Sequence, residues 1–179
     1  MDSIPPRLTS YPFPPYSYVN RLHPHPLTNP EGHGCEGGPE EPTEPPTESN
    51  WRSCMSYLWG IDLFNAGFYW EAHESWEAAW IAAGREGTVA DLFRGLIKIA
   101  AAGVKARENR QVGVERHLAR AVQIFEQVQQ VPSDEYFGLE LAEILTAVRN
   151  SQALAEAITK VSSADPSSRT LPIELICKI

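Results

Sequence analysis

The chain has no run of Lys and Arg, and its formal net charge is -8 over 179 residues. That argues against a nucleic-acid groove, because phosphate binding is driven by clustered cations that release counterions. No window holds the roughly 20 consecutive apolar residues that span a bilayer, and a basic segment followed by an apolar one is missing from the N-terminus. The expectation is a cytoplasmic protein with neither membrane nor nucleic acid among its partners. The cysteines, Cys35, Cys54 and Cys177, are odd in number and far apart. They do not resemble the paired framework of a small secreted domain and are read as reduced thiols.

Proline is scarce after residue 50, since twelve of fifteen fall before it. Residues 1–50 therefore form no regular helix or central strand. Within them, Glu31 to Ser49 is rich in Pro, Gly and Glu and has the composition of a linker. The preceding stretch carries Tyr11, Phe13, Tyr16, Tyr18 and Leu22, and two readings stand side by side: a strap across the folded domain, or an unordered aromatic tail.

From Trp51 the apolar residues take helical spacing. Leu58, Ile61 and Phe64 mark a first helix closed by Gly67. A second runs from Tyr69 to Ala83. Thr88 with Asp91 reads as the N-cap of a third, striped by Leu92, Leu96, Ile99 and Gly103 and broken at Asn109. Its small residues, Ala100 to Gly103, predict close approach of a neighbouring backbone and place this helix at the centre. Val114, Leu118, Ala121, Phe125 and Val128 give a fourth helix ending before Pro132, and Leu141, Leu145 and Val148 a fifth. Leu154, Ala157, Ile158 and Val161 give a short sixth. The predicted fold is all-α: a bundle of five to six antiparallel helices over residues 51–165. An extended N-terminal segment (1–50) precedes it, and an extended tail (166–179) follows in which Leu171, Ile173 and Ile176 can pack.

The second helix raises the functional question. On a wheel of ~100° per residue, Trp76, Trp80, His73, Glu77 and Trp70 share an arc, with Glu74 just beyond. Acid and imidazole inside an apolar stripe predict a polar cluster between helices, because an unpaired buried charge costs several kcal/mol. Phe64, Asn65, Gly67, Glu71, His73, Glu74, Glu77 and Trp80 resemble the signature of the family catalogued as domain of unknown function 309, roughly F-N-x-G-x-x-x-E-A-H-E-x-x-E-x-x-W. Gly95, Leu96, Ile97 and Ala100 to Ala102 resemble its second signature, and Asn109 and Gly113 the turn after it. The likeness covers about residues 55 to 130. It implies an all-α fold and a site, with no reaction attached.

The chemistry divides four ways. His73 and Glu77, at i and i+4, can offer two ligands to one divalent metal, with His117, Asp62, Glu71 or Glu74 completing the set. Neither the second histidine of a zincin nor the Glu-x-x-His of a carboxylate bundle is present, so no metal or other cofactor is required. A hydrolase-like site would use His73 as base and Glu74 or Glu77 as its orienting partner. A structural network would have His73 tie helices together through Glu77 or Asn65, with the tryptophans as core. A small-ligand or peptide pocket would be lined by Asn65, Trp70, Glu71, Trp76, Trp80 and His117. The helix-Gly-helix corner resembles that of tetratricopeptide repeats, which bind peptides on concave surfaces. The tail holds a weaker ligand set in His23, His25, His33 and Cys35, and Arg94, Lys98 and Lys105 form a basic row read as a solvated face.

Overall fold

Helical spacing with few breakers from Met55 onward produces six helices in the computed structural model, which describes residues 5–34, 37–42, 44–131, 136–164 (backbone only at 161–164) and 169–178. A 3-10 turn at Trp51–Ser53 leads into α1 (Met55–Asn65), α2 (Tyr69–Ala82), α3 (Gly87–Arg107), α4 (Gln111–Gln129), α5 (Leu141–Ala153) and α6 (Ala155–Ala164). Among the described residues there is no strand, only isolated bridges at Tyr136, Leu139 and Cys177. No described helix is long and apolar enough to cross a membrane.

Helix α3 packs against α2, α4 and α6, as its small residues imply. What they admit is aromatic side chains. A Cβ on Gly95 would lie 2.3 Å from the Phe125 ring, and one on Gly103 would lie 2.4 Å from the Tyr69 ring. Helix α1 is enclosed further still: every residue from Ser56 to Asn65 is buried. An apolar helix with no solvated face must be covered on both sides, and here the helices cover one while the chain's two ends cover the other.

Some local expectations shift. Thr88 lies in the first turn of α3, whose N-cap position is Glu86 with no side-chain cap. The face of α6 is built from Ala155, Ile158 and Thr159, while Leu154 is exposed. In the C-terminal segment Leu171, Ile173 and Leu175 are buried and Ile176 is 56% exposed. An extended chain alternates its side chains with a period of two, so the third anchor falls at 175. Cys35, Pro132, Pro166 and the side chain of Val161 lie outside the described residues.

Candidate functional site

Among the buried polar side chains of the α1–α2 hairpin, Asp62, Asn65, Tyr69 and Glu71 each meet an extended segment near one end of the chain. The Asp62 carboxylate accepts the backbone N–H of Leu8 at 2.8 Å and that of Thr9 at 2.9 Å, together with the Thr9 hydroxyl at 2.7 Å. Asn65 pairs with Leu175 as a strand neighbour would, its amide donating to the Leu175 carbonyl and its oxygen accepting the Leu175 N–H, both at 2.9 Å. The Tyr69 hydroxyl accepts the N–H groups of Thr170 and Leu171, each at 3.0 Å. Glu71 Oε1 accepts the N–H of Tyr18 at 2.8 Å and lies 3.2 Å from His33 Nε2.

Aromatic contacts hold the N-terminal strap beside these bonds. Phe13 stacks on Phe68 with centroids 5.1 Å apart, Tyr11 meets Trp59 edge-on at 6.3 Å, and Tyr18 meets Trp70 at 5.4 Å. His25 and His33 also border the Trp70 ring, and Tyr16 lies between His23 and His33. The tail histidines are thus engaged in stacking. His23 Nδ1 faces the N–H of Val19, and His25 Nδ1 that of Leu27. Leu22, expected in the strap, is 61% exposed.

Helix α2 divides into three faces. At ~100° per residue, the buried Tyr69, Ala72, Trp76 and Ala79 span roughly 80° and form its core face. Trp76 is fully buried there and donates its indole N–H to the Tyr57 carbonyl at 3.2 Å. Glu71 lies roughly 120° from the middle of that arc, yet it too is fully buried. The strap buries it. Burial pushes its carboxyl from 4.5 up to about 7, opposed by the Tyr18 N–H and by Arg107 and reinforced by Glu74. Its second oxygen, Oε2, has no hydrogen-bond partner among the described residues.

His73, Glu74 and Glu77 occupy the third face and a flank. His73 Nδ1 is 3.2 Å from Glu74 Oε1 and 4.0 Å from Glu77 Oε2, with side chains 29%, 29% and 43% exposed. The cluster is therefore half-solvated, and these partners lie along one helix, where an inward inter-helix cluster was expected. The three offer ligand atoms within 4.8 Å of one another, the one such group among the described residues. His117 on α4 is close enough to feel the His73 charge. Burial, then Lys98, Arg116, Lys105 and His73, lower it from 6.5 to about 4, a neutral imidazole at neutral pH. Trp70 and Trp80 are half-buried, and Arg85 lies over the Trp80 ring at 5.6 Å.

A cavity of about 250 Å³ separates the strap from the hairpin. Leu27, Pro39 and Glu41 line it from the strap side, and Trp59, Glu71 and Glu74 from the helices.

Residues 57–117 match the family model described as domain of unknown function (DUF309). No curated protein matches the chain. The DUF309 match begins at Tyr57 in α1 and ends at His117 in α4. It contains all four polar side chains that grip the chain's ends, while the segments they grip lie outside it. Of the expected pocket residues, Asn65 and Glu71 are at these grips, Trp70 is under the strap, Trp76 is core, and Trp80 and His117 are on the flank. Asp62 entered the sequence reading only as a spare metal ligand, and Tyr69 and Trp59 did not enter it as site residues. Their signal, a polar atom on an otherwise apolar helix, was present, but its partners lie about 50 to 110 residues away in sequence.

Proposed function

We propose that the α1–α2 hairpin is a platform for extended peptide segments, occupied in this chain by its own two ends. The observation that carries the reading is that Asp62, Asn65, Tyr69 and Glu71 all bond to the backbone of such segments. Side-chain acceptors aimed at main-chain N–H groups, with aromatic rings between them, are the means by which peptide grooves hold an extended ligand. A labelled peptide of residues 5–23 tests it, titrated into the full chain carrying Phe13→Ser and Tyr18→Ser, which loosen its own strap. Saturable binding that a further Asp62→Ala removes supports the platform. If the peptide fails to bind while the weakened strap stays resistant to protease, the strap is a fixed part of the fold and the reading falls.

A second reading rests on the convergence of His73, Glu74 and Glu77 within 4.8 Å. It makes them a divalent-metal or hydrolase-like site, with His73 as ligand or base and Glu77 as its partner. Elemental analysis of untagged protein decides it: stoichiometric metal lost in both His73→Ala and Glu77→Ala supports the site, and metal-free protein removes it.

A further inference from the structure

We propose that the cleft between the strap and the α3–α4 turn binds a small phosphate monoester. It is bounded by residues 19–22 on the strap side and by residues 107–110, where α3 gives way to α4. Three arginines, Arg21, Arg107 and Arg110, stand there against one carboxylate, Glu108, an excess of two positive charges in a chain whose formal net charge is -8. Lining of one sign concentrates a ligand of the other.

The single acid does not cancel the site. Its Oε2 lies 2.6 Å from Lys105 Nζ and 3.5 Å from Arg110 Nε, so it is shared between two cations. Arg107 is 6% exposed, and its guanidinium is 5.2 Å from the centre of the Tyr69 ring, which fixes its position. The Arg21 side chain makes no ion pair or hydrogen bond among the described residues.

Two further features lie along the same walls. Helix α4 runs for 19 residues from Gln111, its N-cap Arg110 supplies no side-chain cap, and no acid occupies its first turn. Its dipole therefore adds positive potential beside Arg110. The facing end of α3 does not offset it, because the N–H groups of Glu108, Asn109 and Arg110 bond the carbonyls of Val104, Ala106 and Lys105. On the strap, Arg21 has a φ of 70°, a conformation uncommon for any residue but Gly, Asn and Asp. The turn that holds it there has the N–H groups of Leu22 and His23 on the Val19 carbonyl, at 3.1 and 3.2 Å, and Val19 itself is buried. Strain of this kind persists where the surroundings over-determine it, and it gathers at ligand clamps.

Charge and size select the ligand. A guanidinium forks onto two oxygens of a phosphate or carboxylate, and a phosphate monoester carries about two negative charges near neutral pH, matching the excess. At about 270 Å³ the cleft exceeds the ~150 Å³ that encloses a benzene-sized guest in an engineered protein cavity. An organic group therefore fits beside the phosphate, against Val19 and Leu22. The site needs the docked strap and does not require that the platform accept peptides in trans.

The test is calorimetric titration of the full chain with glycerol 3-phosphate, inorganic phosphate, succinate and glycerol, at low salt and about pH 8, where the second phosphate proton is lost. The expected result is one equivalent of glycerol 3-phosphate bound saturably, and less tightly as salt rises. Inorganic phosphate and succinate should bind roughly tenfold more weakly, and glycerol not at all. Arg21→Gln and Arg110→Gln, both at exposed residues, should each weaken the ester roughly tenfold. Arg149→Gln, at an exposed arginine of α5, should leave it unchanged. Equal binding by wild type, Arg21→Gln and Arg110→Gln overturns the proposal, as does equal weakening by Arg149→Gln, which would trace the effect to net charge. No binding of the ester, or inorganic phosphate or succinate binding as tightly, overturns it too. Trypsin cleavage after Arg7, which every variant keeps, separates the failures: an intact strap with no ester bound defeats this site alone, and a strap cut rapidly in the wild type defeats the docking on which the platform also rests.

Discussion

Glu71 is a carboxylate that holds its proton to about 7 because the strap removes it from water. Relative to an unfolded Glu at 4.5, the folded state binds more protons between those values. The stability this group gives is full below 4.5 and is lost as pH rises through 7, an effect on the order of 3 kcal/mol. Glu71→Gln keeps an acceptor for the Tyr18 N–H and does not titrate. Urea unfolding of both proteins near the two ends of that range should show the variant gaining on the wild type as pH rises; parallel curves would mean that Glu71 is not sealed. His117 works in the other direction. Its value is lowered to about 4, so its contribution is present above 6.5 and lost as pH falls through 4, and His117→Gln should flatten that acid limb. His73→Ala, at a half-solvated contact with Glu74, should change stability by less than about 1 kcal/mol.

Helix α3 meets both α2 and α4 through a glycine and a ring, Gly103 with Tyr69 and Gly95 with Phe125, and that geometry decides the sign of a substitution. Gly→Ala inside a helix ordinarily gains up to about 1 kcal/mol. At Gly95 the added methyl would sit 2.3 Å from Phe125, and overpacking of that kind costs about 1–3 kcal/mol. Gly95→Ala should therefore lower the thermal midpoint. Gly113→Ala, whose nearest neighbours would be stem atoms of the partly exposed Lys105 at 2.9–3.2 Å, should lower it less than Gly95→Ala does. Tyr69→Phe leaves the N–H groups of Thr170 and Leu171 without their shared acceptor. It should destabilise by roughly 1–3 kcal/mol for each that finds no water.

The same elements show how much was readable beforehand. Six helices followed from 3.6-residue spacing because burial against neighbours sets that period. The orientation of α2 was misjudged because its tryptophans drew the wheel towards themselves. The core face is marked by Ala72 and Ala79, where small size permits close packing, and the broad rings of Trp70 and Trp80 lie at the margin. Glu71 was legible as a polar oddity, but its partner is a chain segment some 50 residues away that no local period encodes.

On the scale of the whole molecule, residues 56–65 of α1 are buried on all sides only while both extended end segments remain in place. Trypsin can cut after Arg7 and Arg21, both in the strap and both exposed. Cleavage should be slow in the wild type and much faster in Asp62→Ala, followed by electrophoresis with time; equal rates would show that the carboxylate does not hold the strap.

The grips on these ends ask for N–H groups at positions 8, 9, 18, 170, 171 and 175. Proline, the one residue unable to supply an N–H, crowds the intervening positions at 5, 6, 12, 14, 15 and 172 and occupies none of the six. The helices thus impose a spelling rule that forbids one letter at six places and leaves much of the remaining text free to drift. A relative with an unrecognisable N-terminal sequence would still close over the same hairpin if its prolines respected those gaps.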